Sequence, residues 1–429
     1  MKLENQGDSG WYGLLDGLEP PRQLEDEQQA EWIVIGAGCC GLAVTHRLAE
    51  QRPDDRIVLL EGERVGAGSS GRNSGFMINA HMHGIETNTD QMRAQFKLWD
   101  AGVSWLRDTV RDFQIQCDWS DWGRMYVAVG APGREHLDVL KRRFGDLNYD
   151  FSSLDAPAMQ AATGTLFYTA GVHMPGSALV QPAALMRGLA SHLPINVGLY
   201  EATLVTSITR GAGQWRVQTA SGVVSAPRII LAAGAHTPEL GFFKHRMAPL
   251  MLYASLTRPL YESERAVFAD VEEFGLLPTS ANGSTVRLTR DGRILMRNTT
   301  RYAGRGIEDG ISAVRKTHRE AIAMRWPHLA GIDLEHTWGG VMAVTRNGGV
   351  LFGEVGDGAY AIMTTDVSPV ARGTIAGRLL ADHILGQPSE LLDMQLSLAT
   401  AKLVPPEPFL GWVARHRLAK LEASEAGEV

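Results

Sequence analysis

The first regular pattern of apolar residues along the chain predicts a strand, a tight turn, a helix and a second strand. The apolar run 32–35 is typical of a strand buried on both faces, as in a parallel sheet. Leu42, Leu48 and Ala49 then continue on one helical face, and the run 56–61 ("RIVLLE") predicts the next strand. The start of the chain is therefore predicted to be one βαβ unit.

Two later stretches show the same pattern of apolar residues as the first βαβ unit, whereas the segments between them show other patterns. Residues 228–241 predict a buried strand that ends in a glycine turn, and residues 359–386 predict a strand, a turn and a helix. Residues 96–170 look helical and are rich in Trp. Residues 251–335 carry hairpin signals, such as Asp291-Gly292 between two alternating runs. The pattern indicates a nucleotide-binding domain that is interrupted twice by pieces of a second domain with a mixed or antiparallel sheet.

This organisation gives four predicted parts. They are an N-terminal arm (1–30), the nucleotide-binding domain (31–95 with 171–250 and 336–386), the second domain (96–170 with 251–335), and a C-terminal helical tail (387–429).

Composition narrows the function classes. Of the 429 residues, 44% are hydrophobic and 21% charged, as in an ordinary globular protein, and the formal net charge of -7 argues against a nucleic-acid partner. The polar, acidic N-terminus does not resemble a signal peptide, and no apolar run approaches the ~20 residues of a bilayer span. Three cysteines are too few for a disulfide framework. We therefore expect a protein of the reducing cytoplasm.

The predicted βαβ unit carries a dinucleotide signature. The segment 36–41 reads G-x-G-x-x-G: Gly36 suits the turn, Gly38 lets the backbone approach a pyrophosphate, and Gly41 allows helix-on-strand packing. Glu61, at the end of the next strand, is placed to accept hydrogen bonds from a ribose. Cys39 and Cys40 are interpreted as small residues tolerated in the loop.

A second Gly/Ser-rich stretch, 66–84, favours FAD over NAD as the dinucleotide. A nicotinamide enzyme rarely needs such a loop directly after the ribose carboxylate, whereas a flavin enzyme must bring the chain close to the diphosphate and the flavin edge. Donor side chains and glycines alternate here; the donors are Ser69, Ser70, Arg72, Asn73 and Ser74.

Taken together, these pieces make the chain resemble the D-amino-acid oxidase superfamily of FAD-dependent amine oxidoreductases, and within it the γ-glutamylputrescine oxidoreductase branch. The resemblance spans almost the whole length. Besides the two Gly-rich segments and Glu61, the matching segments are 181–190, 228–235, 249–260, 287–296, 338–353, 372–386 and 404–409.

The resemblance implies a Rossmann-like FAD-binding domain interrupted by a mixed or antiparallel-sheet substrate domain, the D-amino-acid oxidase or glutathione-reductase-type FAD fold. It implies oxidation of a C–N bond by hydride transfer to flavin N5, giving an imine that hydrolyses, with oxygen or a quinone as electron acceptor. Non-covalent FAD is expected. The cofactor-binding residues it implies are Gly36, Gly38, Cys39, Cys40, Gly41, Glu61, Ser69, Ser70, Arg72, Asn73, Ser74, Gly75, Val205 (in a strand), Ala233, Gly234, Asp366 and Val367.

Three departures from the family pattern bear on the substrate. Where members acting on α-amino acids commonly show W-x-G-L-R-P, this chain has Met342 and Ala343, so an amine substrate is favoured over an α-amino acid. Arg297 stands where small residues are usual, and either binds an acidic group of the substrate or pairs with a structural carboxylate. The third departure is the segment 364–374 ("TTDVSPVARGT"), which replaces the glycine-rich turn before the last helix. Asp366 lies in this segment, and Ser368 is the predicted N-cap of a helix that starts at Pro369.

Further candidates for residues that line the substrate pocket are a thioether, an imidazole and two aromatic side chains. Together with Arg297, the candidates are Met77, His81, Tyr253 and Trp338. His81 and His83 alternate, but no third ligand has recognisable spacing, so no metal is expected.

Two alternatives to a small-amine oxidoreductase stay open. One is a D-amino-acid or opine-type dehydrogenase, with Arg297 in place of the missing carboxylate clamp. The other is an FAD-binding subunit with little turnover of its own. No single catalytic residue stands out, because hydride loss needs a neutral amine and a dry, oriented pocket more than a strong base.

Overall fold

The structure is a computed structural model that describes residues 3–81, 89–268, 271–280, 283–304, 310–364 and 369–424. The helices of these residues are α1 (Gly10–Gly13), α2 (Cys39–Gln51), α3 (Ser69–Arg72), α4 (Thr89–Asp112), α5 (Ala131–Asp146), α6 (Ala156–Thr163), α7 (Pro182–Ser191), α8 (Glu262–Arg265), α9 (Ile311–Arg325), α10 (Pro369–Ile384), α11 (Glu390–Leu396) and α12 (Phe409–Ser424). None of them is both long and apolar enough to cross a bilayer.

The strands of the same residues fall into four sheets. In chain order they are β1 (Glu27–Gln29), β2 (Trp32–Ile35), β3 (Ile57–Leu60), β4 (Phe76–Met77), β5 (Arg124–Ala128), β6 (Ser152–Leu154), β7 (Ala170–Met174), β8 (Ala178–Leu179), β9 (Val197–Tyr200), β10 (Ser207–Gly211), β11 (Gln214–Gln218), β12 (Val223–Ala226), β13 (Arg228–Leu231), β14 (Ala248–Thr257), β15 (Phe274–Pro278), β16 (Thr285–Leu288), β17 (Ile294–Tyr302), β18 (Leu334–Val344), β19 (Leu351–Gly356) and β20 (Ala359–Met363).

A six-stranded sheet, in the order β19-β20-β13-β2-β3-β9, forms the centre of the nucleotide-binding part. All its neighbours pair in parallel except β19, which pairs antiparallel with β20. Because strand side chains alternate, Val34 and Leu59 pack under α2 and α10, whereas Ile33 and Val58 pack against the four-stranded sheet β1-β12-β11-β10. Both faces are covered, which explains the unbroken apolar run at 32–35.

The second large sheet has eight strands in the order β18-β14-β17-β16-β15-β5-β7-β6. Every neighbouring pair is antiparallel except β15 and β5. The predicted hairpin at Asp291-Gly292 joins β16 to β17, and Gly292 has the positive φ of +78° that this turn requires. The mixed sheet and the parallel sheet confirm the predicted fold class.

Sheet membership differs from the predicted domain boundaries at three places. β7 and the start of β14 were expected in the nucleotide-binding part, as was most of β18, but all three strands pair within the eight-stranded sheet. In the opposite direction, Val103, Leu106 and Val110 of α4 pack in the core beneath the parallel sheet. Pairing partners are distant in sequence, so the local pattern carries no information about which sheet a strand joins.

Both ends of the chain pack on these sheets. The N-terminal residues are tied down by the buried Trp11, by β1, and by a backbone bridge between Gln6 and Gly339 of β18. At the other end, α12 lies on the outside, with Phe409 and Trp412 about two-thirds exposed.

Candidate functional site

The Gly36–Gly41 loop runs from the end of β2 into the first turn of α2, as the sequence predicts. Gly36 has φ of +101°, and a Cβ on Gly41 would lie 1.8 Å from the Gly36 carbonyl oxygen. Only glycine permits this approach of helix to strand, so the first turn of α2 presents its backbone N–H groups to the space beyond the strand ends.

Glu61 follows β3 and holds this loop. Its carboxylate accepts hydrogen bonds from the backbone N–H of Ala37 at 2.8 Å and of Glu63 at 3.0 Å. Burial raises the pKa of Glu61, partly offset by these two hydrogen bonds. The contact to Ala37 joins the carboxylate to the G-x-G-x-x-G loop itself, a contact that the motif alone did not predict.

The second Gly/Ser-rich stretch repeats the packing of the first. A Cβ on Gly71 of α3 would lie 2.0 Å from the carbonyl oxygen of Gly66. This matches the first loop, where a Cβ on Gly41 would collide with the carbonyl oxygen of Gly36. Ser70 connects the two helix starts, because its hydroxyl accepts a hydrogen bond from the Cys39 N–H at 3.0 Å. The two helix N-termini therefore lie side by side.

The donors predicted in this stretch are largely engaged within the protein. The Arg72 guanidinium donates to the carbonyls of Ala67, Gly7 and Gly339, at 2.6, 2.9 and 3.1 Å. The Asn73 amide donates to the Ser70 carbonyl at 2.6 Å, and its oxygen accepts from Gly75 N–H at 2.8 Å. These side chains shape the loop and leave mainly its backbone and hydroxyls for a ligand.

Arg287 of β16, which the sequence did not single out, supports the loop from below. Its buried guanidinium donates to the carbonyls of Ser74 at 3.0 Å, Gly75 at 3.3 Å and Val180 at 2.7 Å. Burial lowers the pKa of Arg287 to about 10, so it is still charged at neutral pH. The signal in the sequence, an Arg in an apolar strand, did not indicate what it would contact.

A cavity of about 480 Å³ connects the two loops to the eight-stranded sheet. Its wall is formed by the loop residues, the ends of the parallel strands, one face of the eight-stranded sheet and α12. The wall residues are Gly38, Cys39, Cys40, Ser69, Ser70, Arg72, Asn73, Ser74, Phe76, Ile78, Ala232, Gly234, Ala235, Leu250, Leu252, Ala254, Leu277, Thr285, Arg297, Thr300, Gly340, Val341, Met342, Ala343, Val344, Ile362, Met363, Thr364, Pro369, Leu418 and Leu421.

Most of the predicted cofactor residues lie on or directly beside this cavity. Gly75 and Ala233 flank wall residues, and Ala233 lies directly before the 3-10 helix that starts at Gly234. Val205 was predicted in a strand, but the strand β10 begins only at Ser207, so that part of the prediction is wrong. Val205 packs against the apolar cluster between the six-stranded and four-stranded sheets and is not among the wall residues. Asp366 and Val367 lie outside the described residues.

The helix α10 begins at the cavity. Pro369, its first described residue, and Thr364 of the preceding segment both line the wall. The predicted N-cap, Ser368, lies outside the described residues, so the predicted start of the helix at Pro369 stays a prediction. Its positive N-terminal end therefore faces the cavity, where it favours negative charge.

The two adjacent cysteines are the first residues of α2, and their sulfur atoms lie against α10. Both thiols are free, and a Cβ on Gly373 of α10 would lie 2.6 Å from Cys39 Sγ and 2.9 Å from Cys40 Sγ. Their hydrogen bond and burial raise the pKa of Cys40. They act here as small residues at a close helix crossing, and they lie in the first turn of α2 and not in the loop where the sequence placed them.

Of the five predicted pocket residues, only Arg297 lines the cavity. Met77 is a core residue beneath the parallel sheet, and the buried His81 is hydrogen-bonded to the Tyr126 hydroxyl at 2.8 Å. The Tyr253 hydroxyl donates to Gln6 at 2.7 Å, and Trp338 Nε1 donates to the Arg72 carbonyl at 3.0 Å. The structure thus places four of them in the core, where apolar and aromatic side chains reside by default; His83 lies outside the described residues.

The residues around the cavity fit an FAD. Backbone N–H groups at two helix starts suit a diphosphate, the glycines allow the two helix starts to pack closely on the segments before them, and the apolar remainder suits a flavin ring. Within the described residues, no group of three or more His, Cys, Asp or Glu side chains could hold a metal ion.

Comparison with known proteins agrees with this fit. Residues 31–383 match the model of the DAO family of FAD-dependent oxidoreductases. The chain is 28% identical over 381 residues to the γ-glutamylputrescine oxidoreductase of Escherichia coli, covering 85% of each protein. It is 26% identical over 403 residues to a probable oxidoreductase, OrdL, of Haemophilus influenzae, covering 90% of this chain and 88% of the relative.

Solved structures show the same fold. Glycine oxidase from Geobacillus kaustophilus superposes with a TM-score of 0.73 at 16% identity, covering 88% of this chain and all of that one. Iminodiacetate oxidase from Chelativorans sp. superposes with a TM-score of 0.68 at 19% identity, over 87% of this chain and all of that one. With a dinucleotide loop, a second Gly-rich helix start and a cavity between two sheets, the chain belongs to the DAO family and is an FAD-dependent oxidoreductase.

Proposed function

We propose that this enzyme oxidises the C–N bond of a small amine to an imine, which water then hydrolyses. The observation that carries the proposal is the cavity itself, which runs from the Gly38–Cys40 loop to one face of the eight-stranded sheet. Among the described residues, its wall contains no Asp or Glu and two arginines, Arg72 and Arg297.

This electrostatic character suits amine oxidation. Loss of a hydride from carbon requires the nitrogen lone pair, so the reactive amine is neutral. A carboxylate in the wall would stabilise the ammonium form, whereas nearby cations and the start of α10 lower the pKa of a bound amine. The wall therefore favours the form that reacts.

The apolar part of the wall excludes water from the reacting atoms. Leu250, Leu252 and Ala254 of β14 lie on it, with Leu277 of β15 and Phe76 of β4. When bound, FAD supplies the acceptor for the hydride from the carbon next to nitrogen. The nitrogen loses its proton, and the chain contributes orientation and desolvation.

The names of relatives support this substrate class. Besides the γ-glutamylputrescine oxidoreductase, they include glycine oxidase of Bacillus licheniformis, 23% identical over 378 residues, and dimethylglycine dehydrogenase of rat, 27% identical over 255 residues. Each of these names describes a compound with an oxidisable C–N bond. The missing arginine at Met342 favours an amine over an α-amino acid for this chain.

The test is anaerobic reduction of the purified enzyme with a matched panel of amines and amino acids, followed by loss of the oxidised-flavin absorbance. We expect primary or secondary amines to bleach the flavin. A primary amine should yield aldehyde and ammonia in equal amounts, and a secondary amine should yield aldehyde and a primary amine in equal amounts. Bleaching by α-amino acids alone would favour an amino-acid dehydrogenase. If the flavin is photoreduced normally but no compound of the panel bleaches it, the protein would instead be an FAD-binding subunit.

The same preparation identifies the electron acceptor. Reoxidation by air with formation of hydrogen peroxide is expected for an oxidase. Slow reaction with air and rapid reaction with a soluble quinone is expected for a dehydrogenase.

A further inference from the structure

Four successive backbone carbonyls, those of the turn 72–75, are held by side chains from elsewhere in the chain. Trp338 Nε1 donates to the carbonyl of residue 72 at 3.0 Å, and Trp11 Nε1 donates to that of residue 73 at 2.9 Å. The Arg287 guanidinium donates to those of residues 74 and 75, at 3.0 and 3.3 Å. Residues 72–74 also line the cavity, so these three side chains fix the course of its wall.

Trp11 is the donor that comes from the N-terminal segment 3–15, outside the residues 31–383 that match the family model. Its side chain is buried, and its ring lies edge-on to that of Trp338, with the ring centroids 6.5 Å apart. The Arg287 guanidinium lies over the Trp11 ring, 5.5 Å from its centroid. Trp11 therefore contacts both of the other donors and joins them into one cluster behind the turn.

The same N-terminal segment pairs with β18, which also forms part of the cavity wall. Gln6 and Gly339 exchange two backbone hydrogen bonds, of 3.1 and 2.7 Å, as in an antiparallel pair. The Arg72 guanidinium donates to the carbonyls of Gln6, at 3.4 Å, and of Gly7, at 2.9 Å. The contact is therefore reciprocal, because a side chain of the turn reaches the segment and an indole of the segment reaches the turn.

Trp11 is also anchored independently of the turn. Its carbonyl accepts a hydrogen bond from the Gln181 amide at 2.6 Å, and the Gln181 amide oxygen accepts one from the Ala184 N–H of α7 at 2.8 Å. The indole is thus held on α7 and can act as a fixed donor. Without it, the Asn73 carbonyl would lose its partner, which costs free energy unless the turn moves to find another.

We propose that Trp11 is a positioning residue of the cofactor site. The docked N-terminal segment holds the turn 72–75 in the conformation that FAD requires, so that docking of the segment and binding of FAD stabilise each other. By linkage, the factor by which docking raises the affinity for FAD is also the factor by which FAD favours docking. This role concerns the retention of FAD and holds for any substrate.

The first test is Trp11→Phe, which keeps an aromatic ring and removes the Nε1 donor. We expect the FAD dissociation constant, measured by the fluorescence of FAD released on dilution of the holoenzyme, to rise about 5- to 150-fold, the usual range of coupling between two sites. Tyr12→Phe is the matched control, because the Tyr12 hydroxyl, also in α1, has no hydrogen-bond partner among the described residues. It should bind FAD as the wild type does. A purely structural role of Trp11 would lower Tm and leave the dissociation constant unchanged, and that result would overturn the proposal.

The second test uses the wild type alone and also decides the matter if Trp11→Phe fails to fold. Hydrogen exchange, followed by mass spectrometry, is compared between the holoenzyme and the enzyme after removal of FAD. Amides of residues 5–15 should exchange about fivefold faster or more without FAD, whereas those of α5, which contributes no residue to the cavity wall, should exchange equally in both forms. Equal exchange of residues 5–15 in the two forms would refute the coupling. An equal acceleration in α5 would show general loosening and would refute it as well.

Discussion

The contact between Gly41 and Gly36 allows a quantitative test of how the cofactor loop is built. In a helix, Gly→Ala normally stabilises by about 1 kcal/mol, because alanine loses less backbone entropy on folding. At Gly41 the new Cβ would lie 1.8 Å from the Gly36 carbonyl oxygen and 2.9 Å from its carbon. Favourable non-bonded contact needs about 3.5 Å, so backbone atoms must move by more than 1.5 Å.

The steric term is expected to exceed the helix propensity. Overpacking costs typically about 1–3 kcal/mol, and a contact with backbone is at the upper end because no side chain can rotate away. The net destabilisation of Gly41→Ala is therefore about 2 kcal/mol, which corresponds to a fall in Tm of about 4–8 °C if unfolding follows domains of ordinary size. Since the shift also moves the N–H groups of α2, we expect FAD affinity to fall by more than tenfold.

Gly145→Ala is the matched control. Gly145 is also helical, near the end of α5, but it is exposed and a Cβ there would meet no atom within 4 Å. The same substitution should leave FAD binding unchanged and raise Tm slightly. For both variants and the wild type, Tm is measured by calorimetry and the FAD dissociation constant by fluorescence. A Gly41→Ala enzyme with unchanged FAD affinity and a raised Tm would refute the close-approach argument.

Three further perturbations have expected outcomes. The first concerns His318, which is buried and whose pKa is lowered to about 3, so that it is neutral in the folded enzyme and takes up a proton on unfolding below its ordinary pKa. The wild type should therefore lose about 2–3 kcal/mol of unfolding free energy between pH 6.5 and pH 4.5 through this group. Calorimetry of His318→Gln should show a shallower fall over the same pH range. Arg287→Met leaves the Ser74 and Val180 carbonyls without their donor and should destabilise by about 3 kcal/mol, as measured by denaturant unfolding; equal stability of the variant would argue against its supporting role. Truncation before Phe409 removes Leu418 from the cavity wall and should raise the KM for amines while the Tm of the remainder changes little, and an unchanged KM would show that α12 does not close the cavity.

The dinucleotide site shows where sequence reasoning succeeds. The Gly36–Gly41 loop and Glu61 were predicted at the positions where the structure has them, because these features depend on neighbours within a few residues. Loop glycines, a helix start with proline and an apolar run between polar ends are local consequences of backbone geometry.

The substrate side shows where it fails. Met77, His81, Tyr253 and Trp338 are chemically suitable for a pocket, but three-dimensional packing places them in the core. Residue type alone cannot separate a wall position from a core position, since both favour apolar and aromatic side chains. The loop donors were recognised, but the carbonyl oxygens that they contact were not.

The sequence by itself determined the βαβ unit, the hairpin at Asp291-Gly292, the cofactor class and the family. Only the tertiary structure decided which sheet β7, β14 and β18 join, that Arg287 supports the loop, and that Arg297 lines a cavity without an anionic partner among the described residues. The physical reason is the separation along the sequence over which each kind of interaction acts. Turns, caps and hydrophobic periodicity act over a few residues, whereas strand pairing and the burial of a charge depend on residues that are tens to hundreds of positions away.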